Sequence, residues 1–348
     1  MNTALFSYKV DALKPGGLLS GKPELFKKLE ERDVTPLVTL NGESAFSGDA
    51  VEVNKLITDS TVRSIGKESL QEVGIIVNRL DRSVKMDEMP TPWQDSMPPI
   101  MNENALRSLV FRKHRVQNEV LKPLGLGMPT RLIDSYLDID AFLQEHPDSF
   151  YIVKPTSGTF SKGVKRVAAS EVADYISENQ GFGKLIIQPA YDFSLPFPDT
   201  VKPYDASSAE DFAALNNDRS MTKELRMYGF YSPEVTATFP VARAMKDGVD
   251  NWFFVDPDSL PPELEINVKK VMGRAAQLTG SRAIYAAYDV AYGNRENTDP
   301  EYQTVELNGR MPYLLGYDKH PGIADILRTH LANQIQQVTH LKNGKIQE

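Results

Sequence analysis

The 348-residue chain contains no cysteine. Disulfides, thiolate nucleophiles and cysteine-held metals are thereby excluded, and a reducing cytoplasm is the expected compartment. Long apolar runs are missing as well. No stretch reaches membrane-spanning length, and the opening MNTALFSYKVDALKPGG has no extended apolar core of a secretory signal. An excess of basic charge is also lacking. Lys plus Arg number 39 against 47 Asp plus Glu, and the net charge of −8 argues against nonspecific nucleic-acid binding. Internal repeats and long low-complexity segments are absent too.

What is present has the balance of an ordinary globular protein, with 41% hydrophobic and 25% charged residues and length for two or three domains. Over roughly the first hundred residues, strands are expected at 3–10, 35–39 and 74–78 and a helix at 22–31. That alternation predicts a small parallel α/β domain. No GxGxxG follows the first strand, so the pattern does not mark a dinucleotide site. Arg79 and Arg82 follow the third strand, either as ligand-facing groups or as surface arginines. Residues 84–101, rich in Pro and Met, read as a linker.

A helix is then expected over 102–121, carrying Arg112, Lys113, His114 and Arg115, and another over 138–145. The run FYIVKP (150–155) reads as a strand ending in Lys154 and leads into the loop TSGTFSKG and a further strand at 164–167. Backbone N–H groups of such a loop suit an anion, and Lys154 adds a point charge beside it; a flexible hairpin is the other reading. The lysine precedes the loop and no helix follows at once, so this is not a Walker motif. Strands follow at 184–190, 223–231 and 234–245, the last two bearing Arg226 and Arg243 and the last interrupted by Pro240. The segment 191–221 reads as an extended loop with a short helix. Helices are expected at 261–279, closed by Gly280, and at 323–341, where His330 and His340 are packing or surface residues.

The chemistry concentrates in SRAIYAAYDVAYGNRENTDPEYQTVELNGR (281–310). Two strands joined by a turn at Asp299-Pro300 would bring Asp289 near Glu306 and Asn308, which are two residues apart and share a face. Two carboxylates and an amide oxygen are hard donors that suit Mg²⁺ shared with nucleotide phosphates. A solvated hairpin face is the alternative.

Taken in this order, the pieces resemble the ATP-grasp superfamily. Within it they are most similar to the carboxylate–amine ligases: D-alanine–D-alanine ligases, bacterial glutathione synthetases and ribosomal-protein glutamate ligases. The specific part runs from about 102 to 309, in the order helix, lysine strand, glycine-rich loop, hinge strand, arginine strand and metal-ligand pair. The resemblance implies an α/β (α+β) ATP-grasp fold. Its parts would be a Rossmann-like N-terminal domain at 1–101, a central lid subdomain at 102–190 and a catalytic subdomain at 191–348.

The resemblance also implies roles. Lys113 and Lys154 would meet the ATP phosphates, and Ser157, Gly158, Ser161 and Gly163 would form a mobile loop over them. Gln188, Pro189 and Tyr191 would form the adenine hinge, with a carbonyl from Pro189 and an N–H from Tyr191. Arg226 would face the phosphates, with Arg243 and Asn251 near the transferred group. Asp289, Glu306 and Asn308 would hold two Mg²⁺ ions, with Mn²⁺ the alternative. Asp192 and Asp199 compete for the ribose. The loop after Asn308 is bulkier than the family's small-residue turn; its Arg310 would orient an amino-acid-like partner, or the loop merely caps the last helix. The implied reaction converts a carboxylate to an acyl phosphate with release of ADP, after which an amine displaces phosphate to give an amide. The partners would be a small-molecule carboxylate and an amine, with no nucleic acid and no membrane; a homodimer is compatible. The alternatives are a small-molecule kinase of the same fold and a catalytically inactive nucleotide-binding protein.

Overall fold

The computed structural model describes residues 2–7, 22–40, 46–47, 50–58, 61–69, 72–78, 100–101, 104–156, 163–179, 185–232, 236–246, 249–309 and 321–342. Its first elements are β1 (Thr3–Ser7), α1 (Lys22–Glu30), β2 (Thr35–Thr39), β3 (Phe46–Ser47), β4 (Ala50–Thr58), β5 (Thr61–Ser69), β6 (Val73–Asn78) and β7 (Ile100–Met101). β1 lies parallel between β2 and β6, and β6 pairs parallel with β7, as the alternation of strands and helix predicts. The antiparallel hairpin β4–β5 was not expected. β5, TVRSIGKES, is mostly exposed, so it carries no apolar signal by which a strand is recognised.

The next group is α2 (Asn104–Phe111), α3 (Lys113–Arg115), β8 (Arg131–Leu132), α4 (Tyr136–Glu145), β9 (Phe150–Pro155), β10 (Lys165–Ala168), α5 (Val172–Asn179) and β11 (Leu185–Pro189). The helix expected over 102–121 is broken. Arg112 is extended, with φ −98° and ψ 93°, and after α3 the chain continues as a π-helix, Val116–Leu121. Four strands form an antiparallel sheet in the order β10-β9-β11-β8. Tyr151, Val153 and Ile187 pack beneath Phe142 and Ile176 of the helices. By strand alternation, Lys154 and Gln188 fall on the face opposite α4 and α5.

The third group is β12 (Tyr191–Asp192), α6 (Ala209–Asn217), β13 (Thr222–Tyr231), β14 (Thr236–Lys246), β15 (Val249–Phe254), α7 (Pro262–Thr279), β16 (Ile284–Arg295), β17 (Glu301–Asn308) and α8 (Pro321–Lys342). The strands run β12-β16-β13-β14-β15, with β17 on β16. β14 continues through Pro240, which lies one residue beyond its last pairing with β15 and so has one neighbour strand there. Gly280 closes α7 in the left-handed conformation, φ 67°. α7 packs tightly on β13: a Cβ at Gly229 would come within 2.2 Å of Met272 Cε.

The two faces of this sheet decide where the site lies. Leu225, Met227, Ile284, Ala286, Tyr288 and Val290 face α7. On the other face Tyr228, Phe230, Tyr285 and Ala287 pack against Phe6, Ile75 and Val77 of the first sheet and against Leu331 and Ile335 of α8. Each such fully buried apolar side chain contributes roughly 1.5–3 kcal/mol. Farther along the same face, β13 and β16 carry Glu224, Arg226 and Asp289, where the surface changes from apolar to charged. Among the described residues no helix is long and apolar enough to cross a membrane.

Candidate active site

Asp289 stands opposite both Arg226 of β13 and Glu306 of β17. Arg226 Nε and Nη2 donate to Asp289 Oδ1 and Oδ2 at 2.7 and 2.6 Å, a parallel two-bond fork. Asn308 Nδ2 donates to Asp289 Oδ2 and to Glu306 Oε1, both at 2.8 Å. The three side chains thus meet as strand spacing predicts. The sequence did not show how deep Asp289 lies, at 0% exposure, with Arg226 at 7%. Glu224, two residues before Arg226 and so on its face, approaches Arg226 Nη2 to 3.8 Å. That spacing was readable in KELR.

The register of β17 slips between Thr304 and Glu306, leaving Val305 as the extra residue of a bulge. The slip assigns faces. Thr304 turns toward the α7 side, where its hydroxyl bonds Tyr288, and Leu307 joins the core there. Glu306 and Asn308 stay beside Asp289.

The lysines arrive from elsewhere in the chain. The break at Arg112 lets the N–H of Lys113 bond Thr156 O at the end of β9, 3.0 Å away. Lys113 Nζ then reaches Glu306 Oε2 at 3.5 Å. Lys154, 8% exposed, lies on the face of β9 opposite α4 and α5. On the neighbouring strand Gln188 donates to Thr130 Oγ1 at 2.6 Å, a partner not anticipated from the sequence. Pro189 still pairs with β9, whereas Tyr191 pairs with Arg295 of β16, so the chain passes from the second sheet to the third across Ala190 alone. That is the short crossing a hinge requires. Tyr191 stacks on Phe193 with ring centroids 5.5 Å apart. Gly163 has φ 75° and so favours glycine.

Not every expected residue joins the cluster. Arg243 is the register partner of Glu224 in the β13–β14 ladder. Asn251 pairs with Ala244, so alternation puts it on the face that Phe253 shares, where it is exposed. Ser157, Gly158, Ser161, Arg310, Arg79 and Arg82 lie outside the described residues.

Charge is balanced by proximity. Burial pushes the Glu306 carboxyl up, but Lys113, the Asn308 amide, Arg226 and Lys154 together pull it down to about 2. Burial lowers the Lys154 ammonium, Lys113 lowers it further, and Glu306 only partly opposes them, leaving it at about 8. Burial also disfavours the Arg226 charge, yet Asp289 and Glu224 hold it well above the ordinary value.

The Lys154 shift gives a pH prediction. With a folded value near 8, below the ordinary 10.5, the native protein carries fewer protons between those values than the unfolded chain. Stability therefore rises as pH climbs through this window and is reduced below it. A polyphosphate ligand wants the ammonium form. Its affinity should fall by up to about tenfold per pH unit above 8, the slope of one linked proton. Lys154→Met should flatten that profile. Calorimetric titration of a nonhydrolysable ATP analogue between about pH 7 and 9.5 checks this, with proton uptake read from buffer dependence.

The donor set also bears on a metal. Among the described residues no group of three or more His, Cys, Asp or Glu could hold an ion. Asp289, Glu306 and Asn308 instead offer two carboxylates and an amide. Asn308 here turns Nδ2 to both acids; with the amide rotated so that Oδ1 takes that place, the three make the partial oxygen shell that Mg²⁺ or Mn²⁺ completes with water and phosphate.

No protein-family model matches this sequence, and no curated protein does. Solved structures do match along almost the whole chain. D-alanyl-alanine synthetase A from Vibrio cholerae superposes with TM-score 0.55 at 11% identity, covering 97% of this chain and 99% of its own. The ATP-grasp ligase PsnB, complexed with minimal precursor, Mg and ADP, gives 0.54 at 14%, covering 96% and 98%. D-cycloserine synthetase DcsG gives 0.51 at 14%, covering 95% and 99%. The chain has the α/β ATP-grasp fold.

Proposed function

We propose that this chain is an ATP-dependent carboxylate–amine ligase, working through an acyl phosphate to give an amide, ADP and phosphate. The observation that carries the reading is the meeting of Lys113, Glu306, Asn308, Asp289 and Arg226 in one bonded cluster at a sheet-to-sheet junction. The fold shared with ligases, one of them seen with Mg and ADP, supports it. In this reading 1–101 is the N-terminal domain, 102–190 the lid subdomain and 191–348 the catalytic subdomain. The cysteine-free composition fits a cytoplasmic enzyme.

Phosphoryl transfer needs little covalent chemistry from a protein, only positioning and neutralisation of charge. Lys113 and Lys154 would bind the phosphates, and Gln188 to Tyr191 would seat the adenine. Arg226 holds Asp289 by both carboxylate oxygens, so it would act on the phosphates through that carboxylate. Arg243 would meet the substrate carboxylate. Asp289, Glu306 and Asn308 would hold Mg²⁺, which neutralises phosphate charge when bound. Glu306, held near 2, stays a carboxylate at any physiological pH.

The test is an ADP-release screen of paired amino acids and small carboxylates, peptides included, with products read by mass spectrometry. ADP formation requiring both partners, with a product lighter than their sum by one water, is the expected result. A stable phosphorylated product formed without an amine would make the enzyme a kinase instead.

A further inference from the structure

Gln117 is 2% exposed, yet its neighbours in the π-helix, Val116, Val120 and Leu121, are the apolar residues that anchor this turn in the core. Its amide is used at both ends. Nε2 donates to Thr304 O at 3.2 Å and to Val305 O at 3.1 Å. Oε1 accepts the N–H of Met128 at 2.9 Å. The two carbonyls flank the bulge of β17, where the ladder with β16 is interrupted and backbone groups need partners from outside the sheet.

The surrounding chain is built for this contact. The N–H of Lys122 bonds Gln117 O five residues back, the wide spacing of a π-turn. Gly127 bridges to Thr304, and a Cβ there would lie 2.9 Å from Lys122 N and 3.0 Å from Gln117 O. Side chains alternate along a strand, so losing the bulge would exchange the faces on the two sides of Val305. Glu306 would leave Asp289 or Thr304 would leave Tyr288.

We propose that Gln117 is a positioning residue for the metal site: it clamps the Thr304–Val305 bulge and so fixes the orientation of Glu306 and Asn308. This rests on the reading that the cluster holds a divalent cation. A residue that orients ligands from behind affects metal affinity about 10–100-fold without touching the ion.

The experiment measures Mn²⁺ binding by electron paramagnetic resonance in the presence of AMPPNP, beside metal-free AMPPNP affinity and the melting temperature. Gln117→Met keeps the volume and removes all three bonds. Gln117→Glu keeps the acceptor for Met128 but puts an oxygen that only accepts where Nε2 donated to the bulge, and serves alone if the methionine variant does not fold. Val120→Ala, in the same π-helix, is the purely structural control. At least about tenfold weaker Mn²⁺ binding is expected in the Gln117 variants, with unchanged metal-free AMPPNP affinity. Val120→Ala should melt earlier and bind Mn²⁺ as wild type does. Unchanged Mn²⁺ affinity in the Gln117 variants, or an equal loss in Val120→Ala, overturns the positioning role while leaving the ligase reading intact. Wild-type protein that binds AMPPNP but no Mn²⁺ overturns both.

Discussion

Glu306→Gln is expected to lower ADP formation by at least about 10²–10³-fold, the usual scale for losing one preorganised electrostatic contact at the reacting centre. The melting temperature should fall only in part, because the amide gives up the attraction of Lys113, Arg226 and Lys154 that holds this carboxyl at about 2. Glu306 sits at the rim of the cluster, with side-chain exposure of 31% and one lysine contact at 3.5 Å, and the amide keeps the bond from Asn308 within reach. What disappears is the charge, and with it a hard anionic oxygen for the cation. Coupled-enzyme ADP assays and differential scanning calorimetry on the same preparation separate the two effects. Near-wild-type turnover would remove Glu306 from the metal site.

Asp289 should behave differently, although both acids were expected on one metal-binding face. It is fully buried and binds Arg226, itself nearly buried, through both oxygens. Asp289→Ala leaves that guanidinium without its main counter-charge in a low-dielectric setting, a loss of roughly 3–5 kcal/mol. Turnover should vanish too, but together with stability. The double variant Asp289→Leu with Arg226→Met removes both charges and should recover much of the stability while remaining inactive. Urea denaturation followed by fluorescence gives the ordering. A fully stable Asp289→Ala would mean that the ion pair is structurally idle.

Much of this site could be read before the fold was known, for a local reason. Glu306 and Asn308 are two residues apart, and strand alternation alone puts them together. Lys154 at the end of FYIVKP and the Gln188-to-Tyr191 crossing follow from short apolar runs with clear ends. What escaped depends on partners distant in sequence. The fork between Arg226 and Asp289 joins residues 63 apart and is set by the β13–β16 register. The place of Asn251 is likewise set by register, that of β15 on β14, where it pairs with Ala244. The bulge at Val305 has no glycine or proline to announce it, and its partner Gln117 is 188 residues away. The break at Arg112 lies inside a stretch of good helix formers and is visible only from the bond between Lys113 and Thr156.

The central claim, that this cluster is a Mg-nucleotide site, is tested most directly by titrating AMPPNP into the wild-type protein with and without Mg²⁺. No substrate need be known. Saturable binding that Mg²⁺ tightens about tenfold or more is the expected result, with that tightening lost in Glu306→Gln. Absence of binding, or one affinity regardless of Mg²⁺, would contradict it.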